Sequence, residues 1–207
     1  MQRRGGEKMK ISLERISFTY PATKEQPSKE VLKDISFFFS DEQPTVLLAP
    51  SGAGKTTLLR ILAGFLKPDE GKIEGLDPKE KLSVVFQEDR LFETMNVFQN
   101  WKIVCPDLTR EKAEEFMKEL ALDPKVLDEK PTTLSGGMKR RVAVGRALLY
   151  HAPVVLMDEP FQGLDDETRL KVIETVRRCA EGKALLIITH DPDDAGRLGA
   201  RTVRMLD

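Results

Sequence analysis

The chain has 207 residues, with 33 Lys and Arg against 34 Asp and Glu and a formal net charge of −1. That length buries one substantial α/β core and hardly two full domains, and the charge balance argues against a nucleic-acid binder working through a basic face. Its two cysteines, Cys105 and Cys179, lie far apart with no metal-ligand spacing and suggest neither a disulfide framework nor a zinc site.

The residues Met1 to Lys8 hold no apolar signal core, and no stretch approaches the ~18 consecutive apolar residues of a spanning helix. The expectation is a cytoplasmic protein that reaches a membrane only through another protein. In chain order, Ile11 to Tyr20 alternates apolar and polar residues with a slip at Glu14-Arg15 and predicts a strand. Val31 to Ser40, with Phe37-Phe38-Phe39, predicts a second, and polar Pro21 to Glu30 between them predicts a loop. Val46-Leu47-Leu48 then runs into a Gly-rich turn, followed by a helix carrying Leu58, Ile61, Leu62 and Phe65 that Pro68 is expected to stop.

Lys72-Ile73-Glu74 and Leu82 to Phe86 read as further strands. From Leu91 to Leu127 no strand pattern occurs, and Thr109 can cap a helix with Ala113, Phe116, Met117 and Leu120 on one face. This predicts a helical subdomain, approximately residues 91–150, inside a single domain spanning 1–207. A helix after Ser135, the strand Val154 to Met157, a helix from Asp166 to Cys179 and the strands Ala184 to Thr189 and Thr202 to Leu206 complete the chain. Alternating strands and helices predict an α/β fold with a mostly parallel sheet.

The turn itself carries the strongest chemical signal. In Ala49-Pro50-Ser51-Gly52-Ala53-Gly54-Lys55-Thr56-Thr57, Gly52 and Gly54 let backbone N–H groups face phosphates at a helix N-terminus. Lys55 can reach the β- and γ-phosphates, and the Thr56 hydroxyl can ligate Mg²⁺. Ala49 stands where the G-x-x-x-x-G-K-[ST] pattern has its first glycine. Downstream, the apolar strand Val154 to Met157 delivers Asp158 and Glu159 at its C-terminal end, where parallel sheets bind ligands. Asp158 can hold Mg²⁺ through its water shell, and Glu159 can orient or deprotonate an attacking water. Leu134-Ser135-Gly136-Gly137-Met138 opens a helix with Ser135 as N-cap and bare backbone at Gly136 and Gly137, a weak signal on its own.

Together these motifs resemble, over nearly the whole chain and in order, the nucleotide-binding domain of an ABC ATPase. Pro50 to Thr57 resembles Walker A, Gln87 the Q-loop glutamine, Leu134 to Met138 the LSGGQ signature with Met for Gln, Val154 to Glu159 Walker B, Gln162 to Asp165 the D-loop, and Thr189-His190-Asp191 the switch histidine. Tyr20 matches the aromatic that stacks on adenine, although a strand-end aromatic covering the core reads the same way.

The resemblance implies a P-loop NTPase core with an N-terminal antiparallel β-subdomain and an inserted α-helical one. It implies ATP and Mg²⁺ as cofactors, with metal held by Thr56, Gln87 and Asp158. It implies a head-to-tail pair of chains sandwiching two ATP molecules, each held by Tyr20 and residues Ser51 to Thr57 of one copy and by Ser135, Gly136 and Gly137 of the other. Glu159, His190 and Gln87 are then the catalytic set. Missing membrane helices, coiled-coil arms and a second ATPase domain point to a bacterial importer subunit, with Asp158 to Phe161 and Thr189 to Pro192 most like the nitrate, sulfonate and taurine group. The partners implied are integral membrane permease subunits and, indirectly, a solute-binding protein, with no nucleic acid, at the inner face of the cell membrane. The alternative is a stand-alone ABC ATPase outside transport. Because the sequence stops soon after the last predicted strand, no appended regulatory domain is expected. The apolar cluster Leu91, Phe92, Met95, Val97, Phe98 and Trp101 has two readings: the subdomain's own core, or the rim of a groove for a permease helix.

Overall fold

The computed structural model of the chain describes residues 8–24, 26–50, 52–77 and 79–205. Two sheets organise it. β1 (Lys10–Tyr20) lies between β2 (Lys29–Ser40) and β4 (Glu70–Glu74) in an antiparallel sheet. The second sheet has the order β5-β6-β7-β3-β8, with β3 (Thr45–Leu48), β5 (Leu82–Val85), β6 (Val154–Asp158), β7 (Ala184–Thr189) and β8 (Arg201–Arg204) all parallel. The slip read at Glu14-Arg15 is a bulge: the pairing shifts between Leu13 and Ile16, and Arg15 takes φ 50°.

The parallel sheet separates two apolar cores by strand alternation. Val154 and Leu156 of β6, with Leu186 and Ile188 of β7, face a core shared with β1, β2 and the helix α1 (Lys55–Leu62). Val155, Met157, Leu185 and Ile187 face the other way, onto the remaining helices. Because both faces are covered, these strands read as unbroken apolar runs. Their C-terminal ends therefore lie together at one edge of a rigid layer.

Between β5 and β6 run α2 (Val97–Lys102), α3 (Arg110–Glu119), two 3₁₀ turns (Pro124–Asp128 and Pro131–Thr133) and α4 (Gly136–Leu149). Thr109 caps α3 by accepting the Lys112 N–H, as its position predicts. Trp101 is completely buried and donates its indole N–H to the Val142 carbonyl at 3.0 Å. Gly145 allows this packing, since a Cβ there would come within 2.7 Å of the Trp101 ring and of Leu120. The apolar cluster at 91–101 divides accordingly. Val97 and Trp101 are core, while Phe92 is 50% exposed.

Several boundaries differ from the expectations; β4, for one, starts at Glu70 rather than Lys72. α1 ends at Leu62 rather than continuing past Phe65 to Pro68, because Gly64 takes the left-handed conformation (φ 75°) that terminates helices. Phe65 is consequently 66% exposed. β2 starts at Lys29, two residues inside the segment read as a loop. β8 is Arg201–Arg204, and Leu206 lies outside the described residues. A short helix, α6 (Asp193–Leu198), follows β7 and α5 (Asp166–Cys179) and has too few residues for a periodic signal. No helix among the described residues is long and apolar enough to cross a membrane.

Candidate functional site

β3 and β6 end at the same edge of the sheet with β7 between them, and the segments after these strands enclose one cleft of about 520 Å³. Tyr20, Gly52, Gly54, Lys55, Thr56, Thr57, Gln87, Glu159 and His190 line it. The turn after β3 works because of Gly54, which has φ 84° and would place a Cβ 2.7–2.8 Å from Leu32, Val31 and the Val31 carbonyl. Gly52 is also left-handed, at φ 86°. Ala49, in the first-glycine position, is not among the residues with positive φ; it is buried and donates its N–H to the Thr189 carbonyl at 3.2 Å. Alanine is therefore accommodated without strain, so the departure from the motif has no backbone cost. Ser51 lies outside the described residues.

Lys55 and Glu159 are paired. Lys55 Nζ lies 2.6 Å from Glu159 Oε1, with side chains only 13% and 5% exposed. His190 Nδ1 sits 2.9 and 3.0 Å from the two Glu159 oxygens, which requires the proton on Nδ1. The Thr189 hydroxyl is 3.2 Å from Oε2. Burial pushes the Glu159 carboxyl up, but Lys55 and His190 together outweigh it and hold the group below its usual range. Glu159 also has φ 49°, a left-handed conformation that costs a non-glycine residue energy and is held by the Glu159 N–H bond to the Ile188 carbonyl at 2.8 Å.

Asp158 lies behind this pair. Its Oδ2 accepts the Thr56 hydroxyl at 3.0 Å, while its Oδ1 is buried without a hydrogen-bond partner. Burial raises its carboxyl above the ordinary range, against the Thr56 bond that lowers it. A buried orphan oxygen beside a hydroxyl is an arrangement that a hard cation or its bound water would satisfy.

Gln87 comes after β5, and its backbone is gripped by α4. Arg140 donates to the Phe86 carbonyl at 2.6 Å and to the Gln87 carbonyl, and its guanidinium lies 3.2 Å from Asp89. Tyr20 packs edge-on against Phe18 at 5.0 Å and places its hydroxyl 3.2 Å from Thr57 Oγ1, so the ring both borders the core and reaches the loop.

The other predicted residues stand apart from the cleft. Ala53 does not line it and packs, partly buried, against the core that includes Leu58, Leu59 and Ile61 of α1. Ser135 caps α4 by accepting the Met138 N–H, Gly136 is open to its surroundings, and Gly137 lies against Leu164 and Gly163; none of the three lines the cleft. Lys29, Val31 and Gln162 line it without having been assigned to it. Lys29 is the cross-strand neighbour of Tyr20, a pairing concealed when residues 21–30 read as a loop.

Comparison with known proteins agrees with this geometry. Residues 32–162 match the family model described as ABC transporter. The chain is 40% identical over 164 residues to the thiamine import ATP-binding protein of Photobacterium profundum, covering 72% of this chain and 68% of that one. It is 38% identical over 206 residues to an aliphatic sulfonates import ATP-binding protein of Rhodococcus jostii, covering 98% and 73%. Of some longer relatives it spans only 55%. Among solved structures, a dimeric post-hydrolysis state of the ATP-binding cassette MJ0796 bound to ADP and Pi superposes with a TM-score of 0.80 at 27% identity, over 94% of both chains. With 131 of its residues (32 to 162) inside the family model and both sheets and the phosphate-loop cleft in place, the chain belongs to the ABC transporter family.

Proposed function

We propose that this chain is the ATP-binding and ATP-hydrolysing subunit of a bacterial ABC importer. The observation that carries the reading is the convergence of Lys55, Thr56, Gln87, Glu159 and His190 on one cleft at the ends of parallel strands. The backbone N–H groups of residues 52–57 and Lys55 take the phosphates of ATP, and Tyr20 takes the base. Mg²⁺, when bound, neutralises phosphate charge, and the residues present suit it: Thr56, the orphan oxygen of Asp158, and Gln87 at the rim. Glu159, held below its usual pKa, accepts the proton of the attacking water, and His190 fixes the carboxylate and faces the γ-phosphate. Ser135, Gly136 and Gly137 serve the ATP of a second copy, in keeping with their lining no part of the chain's own cleft.

The importer assignment draws on relatives named as import ATP-binding proteins, and no observation favours the stand-alone alternative. Aliphatic sulfonates are the proposed solute class, because that relative matches almost the entire chain. Docking to the membrane subunit falls to the exposed aromatics Phe65 and Phe92 beside the Gln87 loop, where Arg90 and Arg146 cover the rings of Phe86 and Phe92. On this reading the chain works at the inner face of the membrane, and a solute-binding protein acts on the far side. The test is sulfonate uptake by cells expressing the chain together with a membrane permease with which it co-purifies. Lys55→Ala should abolish uptake of the sulfonate and Phe92→Glu should abolish co-purification with the permease. Unchanged uptake with Lys55→Ala would refute the transport role.

A further inference from the structure

Glu159 is connected to a network that extends well behind the cleft. Thr189 Oγ1 lies between two carboxylates, 3.2 Å from Glu159 Oε2 and 3.0 Å from Asp194 Oδ2, and it accepts the Asp191 N–H at 3.2 Å. A hydroxyl has one proton, so it donates to only one of these carboxylates at a time. Asp194, on α6, is 1% exposed. Its other oxygen, Oδ1, receives two N–H bonds from Arg169 of α5, at 2.9 and 2.6 Å. The same guanidinium donates to Asp191 Oδ2 at 2.5 Å. One arginine therefore holds the residue directly after His190 and the buried acid three positions further on.

We infer that Arg169 is a positioning residue for Glu159 and His190, acting through Asp194 and Thr189 on the carboxylate and through Asp191 on the histidine loop. The inference rests on the reading of Glu159 as the group that activates water. A salt bridge that only fastened α6 to α5 would need no contact with Thr189. Here the chain of bonds ends on the proposed base. With Arg169 in place, Asp194 has two donors on Oδ1, and the single Thr189 proton is available to Glu159 Oε2. Without it, a buried carboxylate loses both of those donors and competes for that proton. Glu159 then keeps only Lys55 and His190, of which Lys55 is also required by the phosphates.

The test uses the full chain and measures kcat and KM for ATP together with the melting temperature. Thr189→Val, nearly isosteric, and Arg169→Gln should each lower kcat about tenfold or more, as expected when a reacting group is displaced by a fraction of an ångström, and leave KM close to the parent value. Thr189→Ser, which restores the hydroxyl, should recover most of kcat. In a Glu159→Gln background Thr189→Val should not slow the residual rate further, because its effect runs through Glu159. Should Arg169→Gln fail to fold, the Val and Ser variants at 189 decide alone. Parent-like kcat in Thr189→Val, or the same loss repeated in the Glu159→Gln background, overturns the inference. If Glu159→Gln itself keeps the parent rate, the underlying reading of Glu159 fails; a slow Glu159→Gln beside an unaffected Thr189→Val defeats the positioning role alone.

Discussion

Replacing Glu159 by Gln should tighten ATP binding while it removes catalysis. In this structure Lys55, the proposed phosphate ligand, is already engaged: its ammonium lies 2.6 Å from Glu159 Oε1, and both side chains are nearly buried, at 13% and 5% exposure. ATP must therefore break that bond before Lys55 can turn to the phosphates. A hydrogen bond between charged groups contributes about 1.5–3 kcal/mol, and an amide oxygen keeps part of it. The lower end is the relevant figure, which corresponds to a roughly tenfold fall in Kd for Glu159→Gln. Calorimetric titration with ATP and Mg²⁺ measures it, and Lys55→Ala should bind far more weakly than either. The same pair makes stability without nucleotide depend on pH. The folded-state pKa of Glu159 lies below its unfolded value, so the contribution is fully present above about 4.3. It is lost as the pH falls through the folded value. On acidification the parent's melting temperature should fall further than that of Glu159→Gln. An equal or weaker ATP affinity in Glu159→Gln, with parallel pH curves, would refute the reasoning.

Gly54→Ala should abolish nucleotide binding and destabilise the fold, because the new methyl would lie 2.7–2.8 Å from Leu32 and Val31 at φ 84°; normal binding by equilibrium dialysis would contradict the loop geometry. Gly145→Ala should cost about 1–3 kcal/mol by overpacking, since its Cβ would meet Trp101 and Leu120 at 2.7 Å, and chemical denaturation with unchanged stability would contradict that packing. Lys29→Ala should raise the KM for ATP severalfold with kcat little altered, because Lys29 lines the cleft opposite Tyr20 and a lost uniform contact acts on KM; a change confined to kcat would place Lys29 in a different role.

The sheet and most of the cleft were legible because both rest on local rules. The runs at 154–157 and 184–189 are apolar throughout since both faces of the parallel sheet are covered, and Asp158 and Glu159 could be placed at a strand end from the sequence alone. Gly64 shows the limit of such rules: it stops α1 four residues before the proline expected to do so, and a glycine inside an apolar pattern does not announce its sign of φ. Lys29 escaped notice because its place in the cleft depends on register against Tyr20, a pairing between strands rather than a property of either. The ion pair of Lys55 with Glu159 and the bonds from Arg169 to Asp191 and Asp194 join residues 104, 22 and 25 positions apart, and no spacing rule carries them. The absence of positive φ at Ala49 likewise needed coordinates.

The most direct test of the central claim is phosphate release from ATP with Mg²⁺ by the purified chain, compared between parent and Glu159→Gln under single-turnover conditions with the protein in saturating excess over ATP. The account predicts measurable release by the parent and a rate lower by about 10²–10⁴ in Glu159→Gln, the usual contribution of a positioned general base, with ATP still bound. Equal rates in the two proteins would contradict it.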